Sequence, residues 1–385
     1  MIRPQFPTFR LAPTLAALAL SLSLAACGGG GEQTGTETGG GEQTAGAPSL
    51  SANIKEAITA QVALTGAGAT FPAPLYQNWF VGLNQEVPNL QVNYQSVGSG
   101  AGVEQFTAGT VDFGASDTAM KDEEIAKVAK GVLMLPMTAG SIVFAYNLPG
   151  IEGLKLSQEN QVAIFMGEIT KWNDPKLVAD NPDLKLPDAP ITVVHRSDGS
   201  GTTGVFTKYL SAVSPKWKES IGDGKSVQWP TAKGKFIGGK GNEGVTANIQ
   251  QNEGAIGYVE YGYAKNNNLT MATLQNKAGQ FVVPDEASAA ATLATVELPE
   301  NLRAFIINPD GEQSYPIVTY TWMLMYKTYD DPMKAKGIEA MVQYGLTTGQ
   351  QQSAALGYIP LPPNVVEKVA AVADQISPDF QIKVK

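Results

Sequence analysis

Three times in this chain a short stretch passes through glycine and a hydroxyl residue into a helix with one apolar face. That recurrence restricts the fold more than any other feature. "LTGAGATFPAPLYQNWF" takes a glycine-rich loop to Thr70 and Pro72, after which Leu75, Trp79 and Leu83 recur at helical spacing. "YQSVGSGAGVEQF" runs a strand into Gly98, Ser99 and Gly100, and Val103 with Phe106 mark the following helix face. "ITVVHRSDGSGTTGVFTKYL" runs a strand into Ser200, Gly201 and Thr202, and Val205, Phe206, Tyr209 and Leu210 form the next buried stripe. Thr70 is expected to cap the first helix, and Ser99 to precede the first turn of the second. Other strand-like runs ("VDFGAS", "IVFAYN", "AIGYVEY", "YTWMLMY") alternate with helical ones ("EEIAKVAK", "NVVEKVAAVADQI"). Alternation of this kind means an α/β fold.

The N-terminus reads as an export signal. Arg3 and Arg10 precede an apolar run from Leu15 to Leu24, too short to span a bilayer comfortably, which ends in Leu24-Ala25-Ala26-Cys27. Cys27 is the only cysteine in the chain, and Leu-Ala-Ala-Cys resembles a bacterial lipobox, which implies cleavage after residue 26 and lipid attachment at Cys27. A signal peptide is therefore expected over 1–26. A flexible tether rich in Gly, Glu and Thr is expected over 27–58, because that stretch has almost nothing to bury. Roughly 325 residues remain, more than one core usually holds, so two lobes are expected. With no second cysteine, burial must hold them together. The net charge of −9 argues against nucleic acid as a partner and against long-range attraction of anions.

Any anion site must accordingly be local, and the three helix entrances supply the means. Unpaired N–H groups of a first turn, the positive end of the helix dipole and a nearby hydroxyl bind anions, and glycine lets the backbone approach. Each entrance taken alone is an ordinary cap; what favours a ligand is the recurrence together with Arg196, whose forked donors suit phosphate, and Asp117, which closes "VDFGASD". A carboxylate belongs in such a site if the ligand carries a proton. Phosphate near neutrality has a P–O–H to donate to it, whereas sulfate has none and would face a like charge.

Enzymatic readings fit less well. Around Ser200 the sequence is Asp198-Gly199-Ser200-Gly201-Thr202, so a G-x-S-x-G nucleophile elbow fails at its first glycine, and nothing local orients His195. "GKFIGGKG" (234–241) has Gly241 where a phosphate loop needs Ser or Thr, and reads instead as a glycine-rich turn between lobe elements. One histidine and one cysteine leave only carboxylates as metal ligands, and no D-x-D cluster occurs, so no metal or other cofactor is expected.

The motifs "LTGAGATFPAPLY", "VDFGASD", "RSDGSGT" and "GGKGNEGVTANIQQNEGAIGYVEYGYAKNNNL" resemble the substrate-binding protein family of bacterial ABC-type high-affinity phosphate transporters, from about residue 62 to near 370. The resemblance implies a two-lobed type II periplasmic binding fold hinged on two crossing strands, with hinges near 138–142 and 314–318. Lobe I would then comprise 59–140 and 316–385, and lobe II 141–315. It implies phosphate bound by Thr70, the N–H of Phe71, Ser99, Asp117, Arg196, Ser200, the N–H of Gly201, and Thr202, with Asp198 bracing Arg196. The sequence departs from some members at "VGSGAGV", where others carry paired serines, and at His195, where some carry a second arginine. His195 and Arg196 are neighbours on a strand and should face opposite ways. The expected role is a non-enzymatic, monomeric receptor, anchored by lipid to the cell membrane and facing the periplasm or exterior, which delivers phosphate to an ABC permease. The alternatives are a receptor for sulfate or molybdate and a secreted phosphate-monoester hydrolase.

Overall fold

The computed structural model describes residues 52–385. The expected signal segment, Cys27 and the expected tether up to residue 51 lie outside the described residues. The end of the expected tether is ordered: Ala52–Ala57 is a helix with Ile54 buried, and Ile58 is buried after it. A segment read from its Gly-rich neighbours thus has two apolar side chains to bury.

One nine-stranded sheet runs through the molecule. In its first half Val62–Gly68 pairs in parallel with Leu90–Ser96 and Phe113–Ser116. The strand Val318–Tyr326 returns antiparallel to Phe113–Ser116 and to the first part of the long strand Val132–Asn147. In the second half Ile142 to Asn147 of that long strand pairs antiparallel with Ala255–Glu260. Thr192–Arg196 lies parallel to Ala255–Glu260 and to Lys235–Gly239. The long strand therefore belongs to both halves, changing partners between Ser141 and Ile142.

Each half has its own aromatic core. Tyr76, Phe80, Tyr94 and Phe113 pack together in the first, and Phe144, Phe165, Phe206 and Tyr258 in the second, where the rings of Phe206 and Tyr258 stack 4.1 Å apart. Such pairs add to the burial of large apolar surface that holds a core without disulfides.

Three local expectations are corrected. The glycine-rich stretch before Thr70 is not a loop but the strand Val62–Gly68. Its glycines serve close packing: a Cβ on Gly66 would sit 2.1 Å from the Phe113 ring, and one on Gly68 would lie 2.2 Å from the Ala115 carbonyl oxygen. "EEIAKVAK" forms only the short helix Asp122–Ile125, at whose start the Glu124 carboxylate accepts the Lys121 N–H at 2.8 Å. "GKFIGGKG" is not a turn but the strand Lys235–Gly239 leading through Lys240 into the helix Gly241–Gln251. It is a fourth strand-to-helix entrance, overlooked because Ser and Thr are absent from it.

The helix Pro332–Leu346 carries a buried carboxyl, Glu339, whose Oε1 accepts the N–H groups of Ile376 at 2.9 Å and Ser377 at 2.8 Å and so fixes the C-terminal segment. Burial pushes its pKa from the ordinary 4.5 to about 7, against the pull of those two donors. Because the folded value is raised, the fold favours the neutral form, and stability is lost as pH rises from about 4.5 to about 7. Relative to the native chain, Glu339→Gln should gain in Tm between pH 5 and pH 8. A Tm difference that stays constant across that range in scanning calorimetry would contradict this assignment.

Candidate functional site

The expected site residues converge where the two halves meet. Thr70, Phe71, Ser99, Asp117, Arg196, Ser200, Gly201 and Thr202 are all buried. Direct hydrogen bonds cross the junction there. Thr202 Oγ1 donates to Asp117 Oδ2 at 3.3 Å, and Gly100 N–H donates to the Gly199 carbonyl at 2.8 Å.

Only one of the three hydroxyl entrances is capped as a helix normally is. Ser200 is the N-cap of Gly201–Val213, and its Oγ accepts the Thr203 N–H at 3.0 Å. Thr70 is not a cap: its helix begins at Ala73 with Pro72 in the cap position, and only the Thr70 carbonyl meets the Ala73 N–H. Ser99 does not precede its helix but opens it after Gly98, and its Oγ accepts the Asp117 N–H at 3.3 Å. The Thr70 hydroxyl oxygen accepts the backbone N–H of Asn242 at 3.1 Å and its side-chain Nδ2 at 2.9 Å.

These bonds share one consequence. A hydroxyl has one hydrogen to give and two lone pairs to fill. At Thr70, Ser99 and Ser200 an N–H group occupies acceptor capacity, and no described residue takes the hydroxyl hydrogen. All three are therefore set up as donors. Phe71 N–H makes no hydrogen bond to another described residue, and Gly201 N–H lies in a first turn, without a partner in its own helix. Arg196, 4 % exposed, directs Nε and one Nη2 hydrogen at the two oxygens of Asp198, at 2.8 and 2.5 Å, which leaves its remaining donors for something else. Burial raises the Asp198 carboxyl, but the bonds and charge of Arg196 outweigh it and hold it below its usual range. Asp198 also accepts the Gly241 N–H at 3.0 Å, which ties the arginine clamp to the fourth entrance.

Against this set of donors stands one carboxylate that no arginine pairs directly. Asp117 is 1 % exposed, and its Oδ1 accepts the Thr321 hydroxyl at 3.0 Å. Burial pushes its pKa up to about 6, opposed by the Thr321 hydrogen bond, the Arg196 charge and the bonds from Thr202. Thr321 reaches it beside a bulge in the long strand, where Thr321 pairs with Thr138 and Trp322 with Pro136, leaving Met137 as the extra residue. His195 lies elsewhere: its ring stacks on Trp229 with centroids 4.9 Å apart, both half-buried at the edge of the second half's core.

Several residues of the site were not singled out from sequence. Asn242, Thr321, Thr203, Tyr258, Tyr263 and Tyr358 all hold atoms of the expected ligand set or of their neighbours. Tyr263 and Tyr358 donate to the carbonyls of Thr70 and Phe71, both at 2.7 Å, and the Tyr258 hydroxyl accepts the Arg196 N–H at 3.1 Å. The tyrosines look like core aromatics in sequence, and only the direction of their hydroxyls separates them from it. Asn242 had a signal, the glycine-rich approach of "GGKGNEG".

A family model described as a PBP superfamily domain matches residues 40–347. The phosphate-binding protein PstS of Haemophilus influenzae is 46 % identical over 80 % of this chain and 91 % of its own length. The chain belongs to the PstS phosphate-binding protein family. The PstS protein of Pasteurella multocida is 45 % identical over 82 % of this chain and 91 % of its own. Among solved structures, a high affinity periplasmic phosphate-binding protein bound with phosphate superposes with a TM-score of 0.67 at 21 % identity, covering 84 % of this chain and 96 % of that one. That likeness gives the fold, a mixed α/β periplasmic binding fold of two lobes.

In this member of the family the junction tolerates no side chain at Gly201, where a Cβ would lie 2.4 Å from Ser99 Oγ and 2.8 Å from the Asp117 backbone nitrogen. Gly201→Ala should hold the halves apart, enlarge the radius of gyration in X-ray scattering with ligand present, and weaken anion binding by about 100-fold or more. Unchanged scattering and affinity would show that the junction has room to spare.

Proposed function

We propose that this protein is an extracytoplasmic receptor that closes its lobes over one inorganic phosphate ion and delivers it to the permease of an ABC phosphate transporter. The observation that carries this reading is the balance of the site: many oriented donors and one ionisable acceptor, Asp117, set between them. An oxyanion with one proton matches that inventory, since its unprotonated oxygens take the donors and its P–O–H gives to Asp117. The names of the curated relatives support the same ion.

In this reading Thr70, Phe71, Ser99 and Asp117 come from lobe I (59–140 and 316–385), and Arg196, Ser200, Gly201 and Thr202 from lobe II (141–315), with Asp198 holding the arginine. A hinge near 138–142 is supported by the change of strand partner after Ser141, and a second near 314–318 by the pairing of Val318 with Ser141 beside it. Binding shifts the lobes from open to closed, because each lobe alone supplies only part of the ligand's hydrogen bonds. Lipid on Cys27 holds the receptor at the cell membrane while the segment to residue 58 gives it reach, and it works as a monomer. The reading is supported by the sequence ending at Cys27 and by the tether's composition. The net charge of −9 leaves nucleic acid out of its partners.

The Asp117 assignment makes a pH-dependent prediction. With its pKa near 6, Asp117 is an ionised acceptor above that pH and a neutral donor below it. Rejection of sulfate should therefore be strongest at pH 8 and relax toward pH 5. Asp117→Asn should lower the phosphate-over-sulfate ratio at pH 8 by about 100-fold or more. Competition calorimetry with the two ions measures this. Sulfate competing as an equal with the native chain at pH 8 would overturn the phosphate reading, and selectivity unchanged in Asp117→Asn would remove Asp117 from it.

A further inference from the structure

We infer that Asn242 is a positioning residue for anion capture, acting by fixing the Thr70 hydroxyl as a donor; this rests on the phosphate reading above. Asn242 stands in the first turn of the helix Gly241–Gln251 and is fully buried. Its orientation is set without ambiguity. Oδ1 accepts the Glu260 N–H at 3.2 Å, and because a backbone N–H can only donate, the amide nitrogen must face the other way. There Nδ2 donates to Thr70 Oγ1 at 2.9 Å and lies 3.4 Å from Thr202 Oγ1, while the Asn242 N–H gives Thr70 Oγ1 its second bond at 3.1 Å. Both lone pairs of that hydroxyl are then occupied.

The Thr70 hydrogen has no described acceptor, so its one remaining role is donation to an anion. Two N–H groups donating into an oxygen also polarise its O–H, which strengthens the bond it makes. The Thr70 carbonyl is held from the same side by Tyr263 at 2.7 Å, so neither end of the residue is free to turn. Asn242 reaches Thr70 from the opposite half of the sheet, from the helix that follows Lys235–Gly239. It therefore makes this contact only when the halves are together. Closure and the arming of a ligand donor become one event, carried by a residue that does not touch the ion.

The test is a double-mutant cycle on phosphate binding by calorimetry, with Asn242→Ala, Thr70→Val and the pair, alongside thermal unfolding of each without phosphate. Each single change should weaken phosphate binding by about 10- to 100-fold, and the pair should be scarcely weaker than Thr70→Val. Asn242→Asp, nearly the same shape and suited to surviving where alanine unfolds, reverses the bond: an ionised carboxylate accepts the Thr70 hydrogen and withdraws it from the ligand. Its affinity relative to the native chain should fall at pH 8 and recover as pH is lowered, and that pH-dependent part should shrink in the Thr70→Val background, which neither a purely structural role nor plain repulsion of the anion would produce. Losses that multiply in the pair, or an Asn242→Asp deficit independent of pH, would overturn the inference while native binding of phosphate left the parent reading intact. Failure of the native chain to bind phosphate would overturn both.

Discussion

The burial of Asp117 is the constraint around which the junction is organised. A carboxylate removed from water must be supplied with hydrogen bonds, and here no single element can supply them. Thr321 comes from the return strand, Thr202 from the helix after Thr192–Arg196, and Ser99 fixes the Asp117 backbone from a third element. In the proposed reading the same charge makes sense of the donors opposite: a site containing only donors would hold any small oxyanion, and one ionised oxygen among them would make the ligand's own proton part of the fit.

The arrangement of hydroxyls follows a second economy. At Thr70, Ser99 and Ser200 a lone pair is occupied by a main-chain or amide N–H and no described residue takes the hydrogen, which leaves it free to donate, whereas Thr202 gives its hydrogen to Asp117. Tyr263, Tyr358 and Tyr258 act one layer further out, fixing two carbonyls and the arginine backbone, and Tyr258 belongs at the same time to the aromatic cluster that stabilises the second half. Core packing and ligand geometry are therefore coupled through single side chains. Tyr258, stacked on Phe206 and bonded to Arg196, is the clearest case.

Much of this was legible in the sequence where local chemistry is periodic or position-specific. The alternation of strand and helix, the Ser200 cap and the place of Asp117 at a strand end can all be read from spacing. Reading failed where a residue's role depends on a remote neighbour. Gly66 and Gly68 look like loop glycines until Phe113 and Ala115 lie against them. Thr70 looks like a cap until Asn242, 172 positions later, takes its hydroxyl. "GKFIGGKG" looks like a turn because the strand partner that makes it a strand, Thr192–Arg196, is far away in the chain.

The sequence by itself determined the α/β class, the residue types of an oxyanion site and the membership of a family whose motifs are long enough to be specific. Hydrophobic periodicity and glycine placement encode local structure, and local structure is what short spacings report. Tertiary structure alone decided which hydroxyls donate, how far the Asp117 pKa climbs, and that a fourth helix entrance completes the junction. Those properties depend on which groups face each other across a closed interface and on how much water they lose there, and neither distance nor desolvation is written in any one segment of the chain.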